Sequence, residues 1–99
     1  MATKIFEVDL PRLTRVNRGQ KVAQLPVGAT ILGITSGLNP VIAVRADPQL
    51  ADGPPRTFVA VRAGVALTAE EESGVYIGSW DGYWTDEGLE HWHLFEVAV

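Results

Sequence analysis

Val75-Tyr76-Ile77-Gly78-Ser79-Trp80 and His91-Trp92-His93-Leu94-Phe95-Glu96-Val97, parted by the acidic, glycine-bearing segment 81–90, decide how this chain folds. Both runs are rich in aromatic and β-branched residues, which suit a pleated, half-buried surface. Two such runs around a polar break read as a hairpin, with strands over 75–80 and 91–97 and a loop at Asp81–Glu90. The same stretch holds all three tryptophans (Trp80, Trp84, Trp92), both tyrosines (Tyr76, Tyr83) and both histidines (His91, His93). Core and function therefore draw on the same side chains here.

Working outward, the punctuation stays β-type. Lys4–Leu10 alternates, with Phe6, Val8 and Leu10 on one face and Glu7 and Asp9 on the other. Asn17-Arg18-Gly19 reads as a turn, followed by strands at 21–25, 30–35 and 41–46. The last of these is an apolar Val-Ile-Ala-Val run that suits a strand covered on both faces. Residues 47–55 hold three prolines and read as a mobile or surface-wrapping connection. Arg56–Arg62 resumes as a strand with Thr57, Val59 and Val61 on one side and Arg56, Phe58, Ala60 and Arg62 on the other. Thr68-Ala69-Glu70-Glu71 has capping-box spacing and Gly74 offers a stop, so at most one helical turn fits. The expectation is a single all-β domain over residues 1–99. About seven short strands would form an antiparallel sandwich or barrel.

Composition narrows the function classes. With 99 residues and 46% hydrophobic content, the chain can build one ordinary core. It has no cysteine, hence no disulfide, thiolate metal site or cysteine nucleophile. No apolar run nears the ~18 residues that span a bilayer, and residues 1–9 lack a signal-peptide core. A cytoplasmic protein without a membrane partner is expected. The net charge of −4 hides an asymmetry. Residues 12–21 carry Arg12, Arg15, Arg18 and Lys21 and no acid, whereas residues 63–99 carry eight acids and neither lysine nor arginine. An acidic chain is a poor duplex-DNA binder, because that binding neutralises several phosphates at once. A bipolar chain can instead pair with itself head to tail, or hold a small anion at its basic end.

Leu25-Pro26-x-Gly28-Ala29-x-Ile31-Leu32, Arg56-Thr57-Phe58, Tyr76-Ile77-Gly78 and Trp92-His93-x-Phe95-Glu96 occur in this order. With these anchors, from about Lys4 to Glu96, the chain resembles a family of small uncharacterised proteins of tailed phages and prophages. The resemblance implies a phage-encoded β domain acting in the host cytoplasm, and it carries over no catalytic residue. The segment Asp81–Glu90 departs from the family pattern in being longer and more aromatic.

Candidate chemistry follows from the side chains. His91 and His93 leave one face of a strand and could ligate a metal only with borrowed carboxylates, so they are weak candidates and no cofactor is expected. No serine sits in a Gly-x-Ser-x-Gly elbow, no glycine-rich turn opens a helix to cradle phosphate, and a non-enzymatic role is expected. Binding suits the residues better. Tyr76 and Trp80, read as flanking Gly78 on one face, leave either a slot that stacks a planar ligand or rings that cover the glycine in the core. Tyr83 and Trp84 in a polar loop suit a lid or an interface anchor. Arg56 and Arg62 can offer guanidinium groups to a phosphate, or snorkel over apolar neighbours. The expected function is a binding protein that engages a host protein or sequesters an anionic, nucleotide-derived defence signal, as a homo-oligomer. The alternative is a minor structural or assembly component of the phage particle.

Overall fold

A computed structural model describes residues 2–12, 17–35, 39–85 and 88–98, except for the side chains of residues 83–85. The elements are β1 (Lys4–Asp9), β2 (Arg18–Ala23), β3 (Thr30–Ile34), β4 (Val41–Ala46), β5 (Arg56–Arg62), α1 (Ala69–Ser73), β6 (Val75–Thr85) and β7 (Gly88–Val97). They form two antiparallel sheets packed together, one in the order β1-β4-β3 and the other β2-β5-β7-β6. The all-β sandwich-like architecture expected from the alternating pattern is the one observed.

Alternation explains the layers. On β5 and β7 the even positions Phe58, Ala60, Trp92 and Leu94 point between the sheets, where they meet Ile42, Val44 and Ala46 of β4. Trp92, Phe58, Ile42 and Leu94 are the largest fully buried side chains. Burying each such side chain contributes roughly 1.5–3 kcal/mol, which makes this layer the main source of stability. The odd positions Val59, Val61 and Val97 form a second, smaller cluster on the opposite face with Phe95 and Val65.

A short helix closes that outer face. Thr68 Oγ1 accepts from the Glu71 amide (3.2 Å) and the Glu71 carboxylate accepts from the Thr68 amide (2.9 Å), completing the capping box. The buried Glu71 also receives Arg18 Nε and Nη2, both at 2.9 Å, so β2 and α1 are clamped across the outer face. Arg18 hydrogen bonds and charge hold the Glu71 carboxyl below its ordinary value, against the opposing effect of burial. Gly74 is required by a close approach: a Cβ there would lie 2.7 Å from the Glu96 carbonyl oxygen.

Several local readings are corrected. Arg18 and Gly19 belong to β2 rather than to a turn, because their partners Val61 and Ala60 extend the ladder. Among the described residues β4 is covered on one face only: Ile42, Val44 and Ala46 are buried, while on the other face of this centre strand Arg45 is exposed. The proline-rich segment wraps and is fastened: Gly53 N–H donates to Leu25 O (2.8 Å) and Val27 N–H to Ala51 O (2.9 Å). The expected loop 81–90 is largely strand. Trp84 pairs with Leu89 and Thr85 with Gly88, consistent with the β propensity of Tyr-Trp-Thr.

Candidate functional site at the bulged edge strands

The inner face of β5 and β7 follows one rule. Arg56-x-Phe58-x-Ala60-x-Arg62 and Glu90-x-Trp92-x-Leu94-x-Glu96 each place two apolar residues between two like charges. Antiparallel pairing sets Phe58 opposite Glu96 and Arg62 opposite Trp92, so each arginine lies diagonal to a glutamate. Arg56 forks onto Glu96, Nε to Oε2 at 2.6 Å and Nη2 to Oε1 at 2.7 Å, while Nη1 donates to Ala29 O at 2.6 Å. The Glu96 hydrogen bond raises the Arg56 pKa further, with burial opposing. At the other end Arg62 Nη2 lies 3.8 Å from Glu90 Oε1, and Glu90 Oε2 accepts from Trp92 Nε1 at 3.2 Å. Both arginines expected to neutralise an anion thus already face carboxylates.

Charge is therefore graded across the sheet. β2 and β5 carry Arg18, Lys21, Arg56 and Arg62 and no acid, whereas β6 and β7 carry Asp81, Glu90 and Glu96 and neither lysine nor arginine.

β6 does not place its rings as period-two alternation alone requires. The register with β7 shifts between Tyr76 and Gly78, so Ile77 is an inserted residue and the faces exchange. Tyr76 ends on the outer face, edge-on to Phe95 at 5.4 Å, with its hydroxyl 2.9 Å from His93 Nδ1. Gly78 and Trp80 turn inward: a Cβ at Gly78 would meet Ile34, and Trp80 stacks with Trp92 at 6.5 Å. The expected stacking slot between Tyr76 and Trp80 is therefore not formed. Tyr83 and Trp84 lie on the strand rather than in a loop, and their side chains fall outside the described residues, as does Arg15.

His91 and His93 share the outer face as expected. Each has its own partner: His91 Nδ1 bonds Asp81 Oδ1, and His93 Nδ1 bonds the Tyr76 hydroxyl. Among the described residues no group of three or more His, Asp or Glu is placed to hold a metal ion.

A second bulge faces the first. β3 shifts register between Ile31 and Gly33, with Gly33 at φ +140°, and Leu32 is the inserted residue. β3 and β6 run side by side as edge strands of the two sheets. Between their bulges lies a groove of about 500 Å³, walled by Ile31, Leu32, Val75, Tyr76 and Ile77 and floored by Arg56 and Glu96. Its size falls in the range of ligand clefts. On the far side of Tyr76 a hollow of about 230 Å³ is lined by Arg62, Leu67, His93 and Phe95. Of the expected site residues, Tyr76 and Arg56 meet at the groove and Tyr76 and Arg62 at the hollow. Trp80 belongs to the core.

Leu32, Val75 and Glu96 were not among the site residues that sequence reasoning expected. The available signal was an isolated glycine within an apolar run, Ile31-Leu32-Gly33-Ile34 and Tyr76-Ile77-Gly78, which marks a bulge. Compared with protein-family models, curated proteins and solved structures, the chain matches none.

Proposed function

We infer that the protein is a non-catalytic binding module that takes another polypeptide at its β3–β6 edge. The observation carrying this reading is the pairing of Arg56 with Glu96 in a groove also lined by Ile31, Leu32, Val75 and Ile77. A phosphate would have to displace Glu96 from the same guanidinium fork, whereas an apolar partner needs no such exchange. Val75 is 66% exposed, Tyr76 52% and Leu32 47%, so exposed hydrophobic side chains border a groove whose lining is as polar as it is apolar. Between a host protein and a small anionic ligand, this arrangement favours the protein. The resemblance to small tailed-phage proteins makes a host cytoplasmic protein the foreign partner to test first, with a neighbour in the phage particle as the competing role.

Titration calorimetry against nucleotides and cyclic dinucleotides is expected to be silent. Affinity capture from host lysate is expected to retain a partner on the natural chain and to lose it on Tyr76→Ala or Val75→Lys. Saturable nucleotide binding that Arg56→Ala abolishes would overturn the reading in favour of an anion site.

A further inference from the structure

We propose that the polypeptide taken up at this edge is a second copy of the chain, whose β2 adds to β6 and continues the four-stranded sheet head to tail. The proposal rests on the edge being a binding surface and names its occupant.

Strand direction permits the joint. In the order β2-β5-β7-β6 every neighbouring pair is antiparallel, so β2 and β6 themselves run in opposite directions. A copy displaced sideways without being turned over therefore presents its β2 antiparallel to β6. The same displacement of the three-stranded sheet sets β1 beside β3 in parallel, because those two strands share a direction. An even strand count propagates antiparallel pairing, which is the slightly more stable kind per residue.

Charge and shape favour the same joint. β2 holds Lys21, together with Arg18 whose guanidinium is already held by Glu71 and the Ala66 carbonyl of its own chain, while β6 holds Asp81 without a lysine or arginine. Arg18, Gln20 and Val22 face outward, opposite Val61, Val59 and Thr57. Asp81, Ser79 and Tyr76 share that outer face through their pairs His91, His93 and Phe95. One register then sets the second copy's Arg18 opposite Asp81, its Gln20 opposite Ser79 and its Val22 beside Tyr76 at the bulge. Amide meets hydroxyl and two exposed apolar residues cover one another, while Arg18, held by Glu71, and Asp81, held by His91, come side by side without exchanging those partners. Val22 is 55% exposed in the single chain. On the inner face the same register brings Gly19 to Trp80 and Lys21 to Gly78, so each long side chain meets a glycine. Directly opposed residues of this kind stabilise an antiparallel pair. The contact is heterologous, so it leaves a free β2 and a free β6 at the ends and does not stop at a dimer.

The chain has no cysteine, which makes a disulfide test clean. Gln20→Cys and Ser79→Cys place thiols on exposed positions set opposite each other by this register. Mixed and oxidised, the two single variants are expected to cross-link to one another, while each alone stays uncross-linked. The double variant is expected to give a ladder of trimers and larger species. Asp81→Arg is expected to lower the cross-linking yield of the mixture at least about tenfold in low salt, where exposed charges act most strongly. Cross-linking of Ser79→Cys with itself would indicate a two-fold contact and overturn the joint, as would a protein that light scattering finds monomeric at every concentration. Capture of a foreign partner through Tyr76 with no cross-link would keep the binding role and remove the second copy as its occupant.

Discussion

On the inner face of the four-stranded sheet Trp92 is 2% exposed and stacks on Trp80, whereas on the outer face Tyr76 leans edge-on against Phe95 and stays half in solvent. Both sets of rings come from the same two strands. The inner rings are enclosed by the second sheet. Among the described residues the outer face is covered by α1 and the segment leading to it, pinned by Glu71 and Arg18. One hairpin therefore separates a structural aromatic set from an accessible one, and the bulge at Ile77 is the dividing point.

Three substitutions test that division, from the largest effect to the smallest. Trp92→Ala removes the largest buried side chain and is expected to cost about 3–5 kcal/mol in denaturant unfolding. A loss below about 1 kcal/mol would mean that the inner rings are not the core.

Glu71→Gln removes the carboxylate that serves both the Thr68 cap and Arg18. With Arg18 partly exposed, the expected cost at neutral pH is about 1–2 kcal/mol. Because the folded-state pKa of Glu71 is lowered, its contribution is fully present above the unfolded glutamate value of about 4.3 and is lost as pH falls through the folded value. Unfolding curves from pH 7 to pH 3 should accordingly bring natural and variant chains together in acid. A constant gap across that range would show that the clamp is not ionic.

Tyr76→Ala should cost no more than about 1 kcal/mol, the worth of one exposed edge-to-face ring pair and its hydroxyl contact. It should nevertheless remove partner capture. Equal losses of stability for Tyr76→Ala and Trp92→Ala would erase the distinction between the two faces.

Much of the fold was legible before any coordinates. The alternation of Arg56–Arg62 assigned both faces of β5 correctly, and the Thr68–Glu71 spacing marked the cap that forms. The ends of the long hairpin were less legible. A polar, acidic composition over 81–90 suggested a loop, while cross-strand pairs to Leu89 and Gly88 keep it in strand. The candidate site was half legible. Arg56 and Tyr76 were identified, but the groove that joins them needs β3, which lies more than forty residues from β6 along the chain.

Sequence by itself determined the β period, the segregation of charge, the helical cap and the division of β5 into its two faces. These follow from neighbours one to six residues apart, where backbone geometry alone relates side chains. Only the tertiary structure decided that Arg56 meets Glu96, that Tyr76 and Trp80 part company, and that β3 and β6 form two walls of one groove. Each depends on strand order or on an inserted residue. A single insertion reverses every side chain beyond it, and local alternation holds no record of which strand will lie alongside.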